Sequence, residues 1–207
     1  MKLLTINSNP TVQNTYLYFD EETKEGVIID PGLNTNEAAE AIQKNSIQVK
    51  GILLTHGHYD HITAAADAKA LTQAGIFCHT QERPMLEDPN LNLSVRTDIN
   101  ISIVPDGLFE DSDVFAIADT ALEVIHTPGH THGCVCYYDK KNAIIFTGDT
   151  LFKESVGRTD LPGGAFDDLV KSVRERLFTL PRNTKVYPGH GGSTSIGHEM
   201  ESNPFIR

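Results

Sequence analysis

Thr55-His56-Gly57-His58-Tyr59-Asp60-His61 places four metal-competent side chains in six consecutive residues. Zinc, iron and manganese all accept neutral imidazole and carboxylate ligands, so no thiolate is needed to hold an ion here. The whole chain has nine histidines, and three within six positions is far from an even scatter. A polar loop that happens to collect histidines is the competing reading, and the flanking sequence argues against it. Gly51-Ile52-Leu53-Leu54 reads as a buried strand running into the cluster, and Ile62 to Leu71 is rich in helix formers. Side chains two apart on an extended segment share a face, and the first turn of a following helix points back toward the same place. His56 and His58 are therefore expected to grip one ion, and Asp60 and His61 a neighbouring one.

Three later apolar runs each end on a further ligand type. They are followed by Thr127-Pro128-Gly129-His130, Thr147-Gly148-Asp149 and Tyr187-Pro188-Gly189-His190. If those strand ends lie together, seven ligands converge on one place. A glycine beside His130, Asp149 and His190 fits this, because it permits tight backbone turns near a crowded ion pair.

The elements that must position these residues alternate. Lys2 to Ile6, Asn14 to Phe19 and Gly26 to Ile29 read as strands, with Asp30-Pro31-Gly32 stopping the third. Asn36 to Lys44 has Ala38, Ala41 and Ile42 at helical spacing, with Asn34 or Thr35 as cap, and Val49 to Leu54 returns as a strand. Beyond the cluster, Ile76 to Cys78 is a short strand and Gln81 to Asn100 a polar surface excursion with one or two short helices. Strands are expected from Ile101 onward, at Val114 to Ile117, Ala121 to His126, Cys134 to Tyr138 and Ala143 to Phe146. Gly148 to Gly164 is a glycine-rich loop too long to be a mere connector, and so a candidate binding loop. Phe166 to Leu180 is amphipathic, with Leu169, Val173, Leu177 and Leu180 on one stripe. Lys185 to Tyr187 is a last strand before a polar tail.

A chain of 207 residues can bury roughly 70% of its unfolded surface, enough for one substantial core, and residues 1–207 read as a single α/β domain. The formal charge of −11 argues against a nucleic-acid partner, which needs a clustered excess of Lys and Arg. No window of about 18 apolar residues suggests a membrane span. The first residues turn polar too soon for a signal peptide, and three cysteines, an odd number, suit a reducing cytoplasm better than a disulfide framework. Cys134 and Cys136 fall on one face of a strand and read as buried small hydrophobes.

The pattern His-x-His-x-Asp-His, followed by separate His, Asp and His ligands, resembles the metallo-β-lactamase superfamily. Within it the chain is similar to the glyoxalase II-related branch of small metallohydrolases. Supporting segments are Thr147 to Phe152, Gly157-Arg158-Thr159-Asp160, Pro188 to Gly191, Thr194 to Glu199 and Asn203-Pro204-Phe205. The resemblance implies a four-layer αββα sandwich with the metal site at one edge of two packed sheets. It implies two divalent ions, zinc first and iron or manganese as alternatives. His56, His58 and His130 would hold the first ion, Asp60, His61 and His190 the second, and Asp149 would bridge them. It further implies a small-molecule thioester substrate such as hydroxyacylglutathione. Two departures are visible: the larger glyoxalase II proteins carry an additional C-terminal helical domain, whereas 17 residues follow His190 here, and Arg158 and Asp160 replace the lysine and tyrosine after Thr-Gly-Asp-Thr-Leu-Phe.

Two ions about 3.5–4 Å apart activate a water to hydroxide and polarise an acyl oxygen, and a thiolate then leaves without needing a general acid. Asp60 and Asp149 are the expected catalytic ligands. Arg158 is the candidate partner for a substrate carboxylate, its planar fork matching that group, with a plain surface arginine as the alternative. His79 and His132, with His126, are candidates to orient a ligand through a free ring nitrogen. Asp30 is expected to stabilise its own turn, with support of a metal ligand from behind as the alternative, and His198 to be solvated. The Arg158-Thr159-Asp160 loop and Ile62-Thr63 also resemble persulfide dioxygenases, in which His56, His130 and Asp149 would hold a single iron. A non-catalytic metal-binding module is the third alternative, and the full ligand set argues against it.

Overall fold

The computed structural model describes residues 1–7, 13–32 and 35–206, with the Thr35 side chain excepted. Six strands form the first sheet in chain order: β1 (Lys2–Asn7), β2 (Asn14–Phe19), β3 (Glu25–Ile29), β4 (Gln48–Leu53), β5 (Ile76–His79) and β6 (Gly107–Phe109). β1, β2 and β3 pair antiparallel and β3 to β6 parallel. The second sheet uses β7 (Val114–Ile117), β8 (Thr120–His126), β9 (Val135–Asp139), β10 (Ile144–Gly148), β13 (Lys185–Pro188) and β14 (Thr194–Ser195), in the order β14-β13-β10-β9-β8-β7. A separate hairpin, β11 (Leu151–Phe152) with β12 (Ser155–Val156), stands between β10 and β13 in the chain.

Alternation along the strands builds the layers. Tyr16 and Tyr18 of β2 face one way, joining Val27, Leu53, Val124, Tyr137 and Phe146 in the core between the sheets. Leu17 and Phe19 face the other way, packing with Ile28 and Ile52 under α1 (Thr35–Asn45) and α3 (Ala65–Thr72). On the outer face of the second sheet, Ile125, Cys136, Ile145 and Val186 meet Val173, Leu177 and Ile196 from the C-terminal helices. Strands covered on both faces read as continuous apolar runs, as Tyr16 to Phe19 of β2 do, and all six residues of that strand are buried. The result is the αββα sandwich. Each fully buried Leu, Ile or Phe contributes about 1.5–3 kcal/mol. Among the described residues no helix is long and apolar enough to cross a membrane.

Several boundaries differ from expectation. The helix expected over 62–71 is two pieces, α2 (Tyr59–Ile62) and α3. Thr63 Oγ1 bonds back to Tyr59 O, and the Ala64 N–H goes to Pro31 O instead of continuing the ladder. The segment 81–100 is no surface excursion: besides α4 (Arg83–Glu87) it buries Glu82, Leu86, Asn92 and Ser94. Ile101 and Ile103 are buried without forming a strand, and the strand that follows is β6. The helix expected over 166–180 is α5 (Phe166–Ser172), continued as a wider π-type turn over Val173–Leu177. The polar tail holds β14 and α6 (Ile196–Ser202), with Ile196 and Glu199 turned inward. The cap expected at Asn34 or the Thr35 side chain lies outside the described residues. Cys134 and Cys136 are free and fully buried, and burial pushes the Cys136 thiol up to about 12.

Candidate metal centre

β4 delivers Leu54 into an extended segment, His58 keeps extended backbone angles, and α2 begins at Tyr59. This hand-over sends the cluster's side chains to two places. His56, His58 and His130 present ligand atoms within 4.8 Å of one another, and so do Asp60, His61 and His190. His130 comes from the turn after β8, and His190 from the turn after β13. Asp149, following β10, reaches both groups. Its Oδ2 lies 3.6 Å from His130 Nε2 and from His190 Nε2, and its Oδ1 lies 3.3 Å from His61 Nε2. All seven residues singled out as ligands thus meet at one edge of the sandwich.

The donor set fits cations. His58 Nδ1 and His130 Nε2 approach to 2.9 Å, and His61 Nε2 and His190 Nε2 to 3.2 Å. Nitrogens at roughly 2.0–2.1 Å from a tetrahedral ion stand about 3.3 Å apart, so these are the spacings of co-ligands. His56 Nε2 and Asp149 Oδ1 are buried without a hydrogen-bond partner, an expensive state that an ion would relieve. His58 Nε2 is likewise buried and unpartnered. On three of the rings the outward nitrogen is already committed: His130 Nδ1 donates to Arg158 O at 2.7 Å and His61 Nδ1 to Asp30 Oδ2 at 3.0 Å, while His56 Nδ1 lies 3.1 Å from Thr55 Oγ1. Such contacts fix which nitrogen faces the ion.

Protonation differs between the two groups. Burial drives His56 well below the usual imidazole range, takes His58 down to about 3 and lowers His130. These rings are neutral, as ligands must be. Burial also opposes charge on His61 and His190, but Asp149 and Asp60 outweigh it and raise both. For Asp149, burial would raise the carboxyl, yet His61 and its neighbours hold it well below the carboxylate range.

Residues that sequence reasoning passed over hold the loops in place. The fully buried Glu82 accepts from Gly57 N at 2.8 Å through one oxygen, and from Thr131 Oγ1 and Gly133 N through the other. It joins the His56–His58 segment to the turn carrying His130. Asn14 donates from Nδ2 to Pro188 O and Gly191 O, and its N–H bonds Gly189 O, clamping the His190 turn. Asp30 does more than stabilise its turn, since it also accepts from Thr55 N and Thr55 Oγ1. Gly189 is needed for space: a Cβ there would stand 2.3 Å from Asp149 Oδ1. Gly148 has φ +47°, and a Cβ would meet Thr55 Oγ1 at 2.2 Å.

Other expected roles do not materialise. His79 stacks on His126, ring centroids 4.1 Å apart, and accepts from Gln81 N, touching no ligand. His132 is exposed, and its carbonyl takes a bond from His126 Nε2. His198 pairs with Glu154 at 2.9 Å and is not simply solvated. Arg158 lines the cavity, but both arms of its guanidinium lie 2.7 Å from Asp160, so its contribution to the ligands is its backbone oxygen. The cavity itself, about 510 Å³, opens onto His58, Asp60, His130, Asp149 and His190.

Comparison with known proteins agrees with this geometry. A family model described as the metallo-beta-lactamase superfamily matches residues 8–190. A probable metallo-hydrolase of Streptococcus pyogenes is 36% identical, covering 100% of this chain and 90% of its own. The hydroxyacylglutathione hydrolase GloC of Haemophilus influenzae is 34% identical, covering 94% and 92%. Among solved structures, BLEG-1 B3 metallo-beta-lactamase superposes with TM-score 0.93 at 38% identity, covering 99% of each chain. TTHA1623 in a di-iron-bound form superposes with TM-score 0.86 at 34% identity, covering 98% of this chain and 99% of that one.

Proposed function

The chain belongs to the metallo-beta-lactamase superfamily, and we propose that within it the protein is a dinuclear metal-dependent hydrolase of small-molecule thioesters such as hydroxyacylglutathione. The observation that carries this reading is the pair of three-residue ligand groups with Asp149 reaching both. His56, His58 and His130 would hold one divalent ion and Asp60, His61 and His190 the other. Zinc is the first choice, and the di-iron relative keeps iron as the second. When bound, such ions acidify a water and polarise an acyl oxygen.

The chain's own groups supply the rest. Asp149 fixes the spacing of the two ligand groups, and Asp60, with Oδ2 3.3 Å from His190 Nε2, orients the nucleophilic water beside them. Leu93, Phe152, Val156 and Leu161 give the cavity apolar walls that pack the acyl chain and exclude bulk water. Outside the ligands, the lining offers no carboxylic acid or histidine among the described residues to protonate a leaving group. A thiolate needs none, whereas an amine does, which supports a thioester over an amide substrate. The likeness to BLEG-1 nonetheless favours testing a β-lactam as a second acyl substrate. With metal-reconstituted protein, thiol release from S-lactoylglutathione should exceed penicillin opening and oxygen consumption on glutathione persulfide. Faster β-lactam opening, or oxygen uptake with one iron per chain, would replace the proposed substrate.

A further inference from the structure

Resting on the thioester reading, the structure assigns to Arg96 the role expected of Arg158: we propose that Arg96 anchors a carboxylate of the substrate. Apart from the histidine ligands, Arg96 and Arg158 are the cations lining the cavity among the described residues. Arg158 is neutralised by the two-armed contact with Asp160. Arg96 is exposed, and among the described residues its guanidinium has no hydrogen bond or acidic partner. A planar fork left open beside a reaction centre matches a carboxylate in geometry and in charge.

The segment that presents Arg96 is held rigidly. Asn92, fully buried, donates from Nδ2 to Ile101 O at 2.8 Å and accepts from Ser94 N at 2.9 Å. Its carbonyl takes the N–H of Tyr59, the first residue of α2, at 2.9 Å, so the segment is tied directly to the ligand cluster. Ser94 Oγ accepts from Ile101 N, and Thr97 Oγ1 closes the short turn onto Ser94 O. Leu93 adopts φ +67°, a backbone state costly for a branched side chain, and its side chain walls the cavity next to Arg96. Strain kept in an ordered loop at a cavity wall is a mark of a binding segment. The substrate class that fits is a thioester with a free carboxylate, the apolar walls taking the acyl chain and Arg96 the anionic end.

The test compares a glutathione thioester with free carboxylates against the same thioester with both carboxylates esterified, on wild type, Arg96→Gln and Arg96→Lys. Losing an exposed charged contact should raise KM for the free acid by about 2- to 5-fold in Arg96→Gln with kcat nearly unchanged, and Arg96→Lys should recover part of it. Esterification should raise the wild-type KM by a similar factor and add nothing in Arg96→Gln, the non-additivity of two groups that touch. Equal effects of Arg96→Gln on acid and ester, or no effect on the acid, would overturn the assignment. Should wild type cleave neither thioester, the parent reading fails alone. Calorimetric binding of S-hexylglutathione and its diester then decides the anchor, a lost acid preference in Arg96→Gln supporting it and a retained one refuting it.

Discussion

Asp30 Oδ2 lies 3.0 Å from His61 Nδ1, and this contact turns the ring's other nitrogen toward His190. The same carboxylate accepts from the backbone and hydroxyl of Thr55, so one buried residue fixes both the start of the cluster and the orientation of its last histidine. Asp30→Asn removes an acceptor and sets an amide N–H₂ against these donors. It should weaken metal binding at the Asp60–His61–His190 group by roughly 10- to 100-fold, and less at the other group, which it reaches only through Thr55. Titration of metal-free variant with zinc, read by calorimetry, checks this; two unchanged binding steps would show that Asp30 has no such part.

Glu82 couples pH to stability. Burial raises its carboxyl to about 7 against the lowering effect of its three donors. A carboxyl raised on folding holds its proton longer in the native state than in the unfolded chain. Its contribution is therefore intact below about 4.5, the unfolded value, and is lost as pH climbs through about 7. The loss amounts to roughly 3 kcal/mol at most. Denaturant unfolding of metal-free protein should show wild type falling relative to Glu82→Gln across this window, with the variant less stable at low pH because its N–H₂ faces backbone donors. Parallel curves for the two proteins would contradict the assignment.

The ligands were legible in the sequence because their types and spacing are local facts: a strand-to-helix junction fixes where His56, His58, Asp60 and His61 point. The two sheets were legible because Tyr16 to Phe19, Gly51 to Leu54 and Val135 to Tyr138 are short unbroken apolar runs. Glu82 and Asn14 were not, since a polar residue in a polar segment discloses its burial only through donors and acceptors distant in the chain, such as Gly133 and Pro188. The tail's helix is hidden in the sequence for a similar reason. Its inward side is only Ile196 and a carboxylate, Glu199, whose partners are Glu154, Thr194 and Asn203. Arg158 was a sound choice by type, but its pairing with Asp160 depends on a side-chain conformation that spacing does not reveal.

That helix secures the hairpin beside the cavity. Glu199 Oε2 accepts from Glu154 N, and Asn203 Nδ2 bonds both Ser155 O and Glu199. Glu199→Ala leaves Glu154 N and Thr194 Oγ1 without this acceptor and Asn203 Nδ2 with Ser155 O alone, and should cost about 1–3 kcal/mol. Faster hydrogen exchange should be confined first to residues 151–156, and KM should rise more than kcat falls. Unchanged exchange at the hairpin would show that α6 does not hold it.

Gly189 sits where a side chain cannot. In Gly189→Ala the new Cβ would press on Asp149 Oδ1 and His61 Cε1. Metal content measured after dialysis should drop, and turnover with it, while far-ultraviolet circular dichroism stays native. A variant that retains both ions would mean the turn yields without disturbing the ligands.

In the dinuclear hydrolase proposed above, both ligand groups are filled and Asp149 serves both. Thioester hydrolysis measured while metal-free protein is titrated with zinc tests it most directly. Turnover should rise to a plateau at two ions per chain, with neither ion retained nor turnover restored in Asp149→Ala. A plateau at one ion, or full turnover in Asp149→Ala, would contradict it.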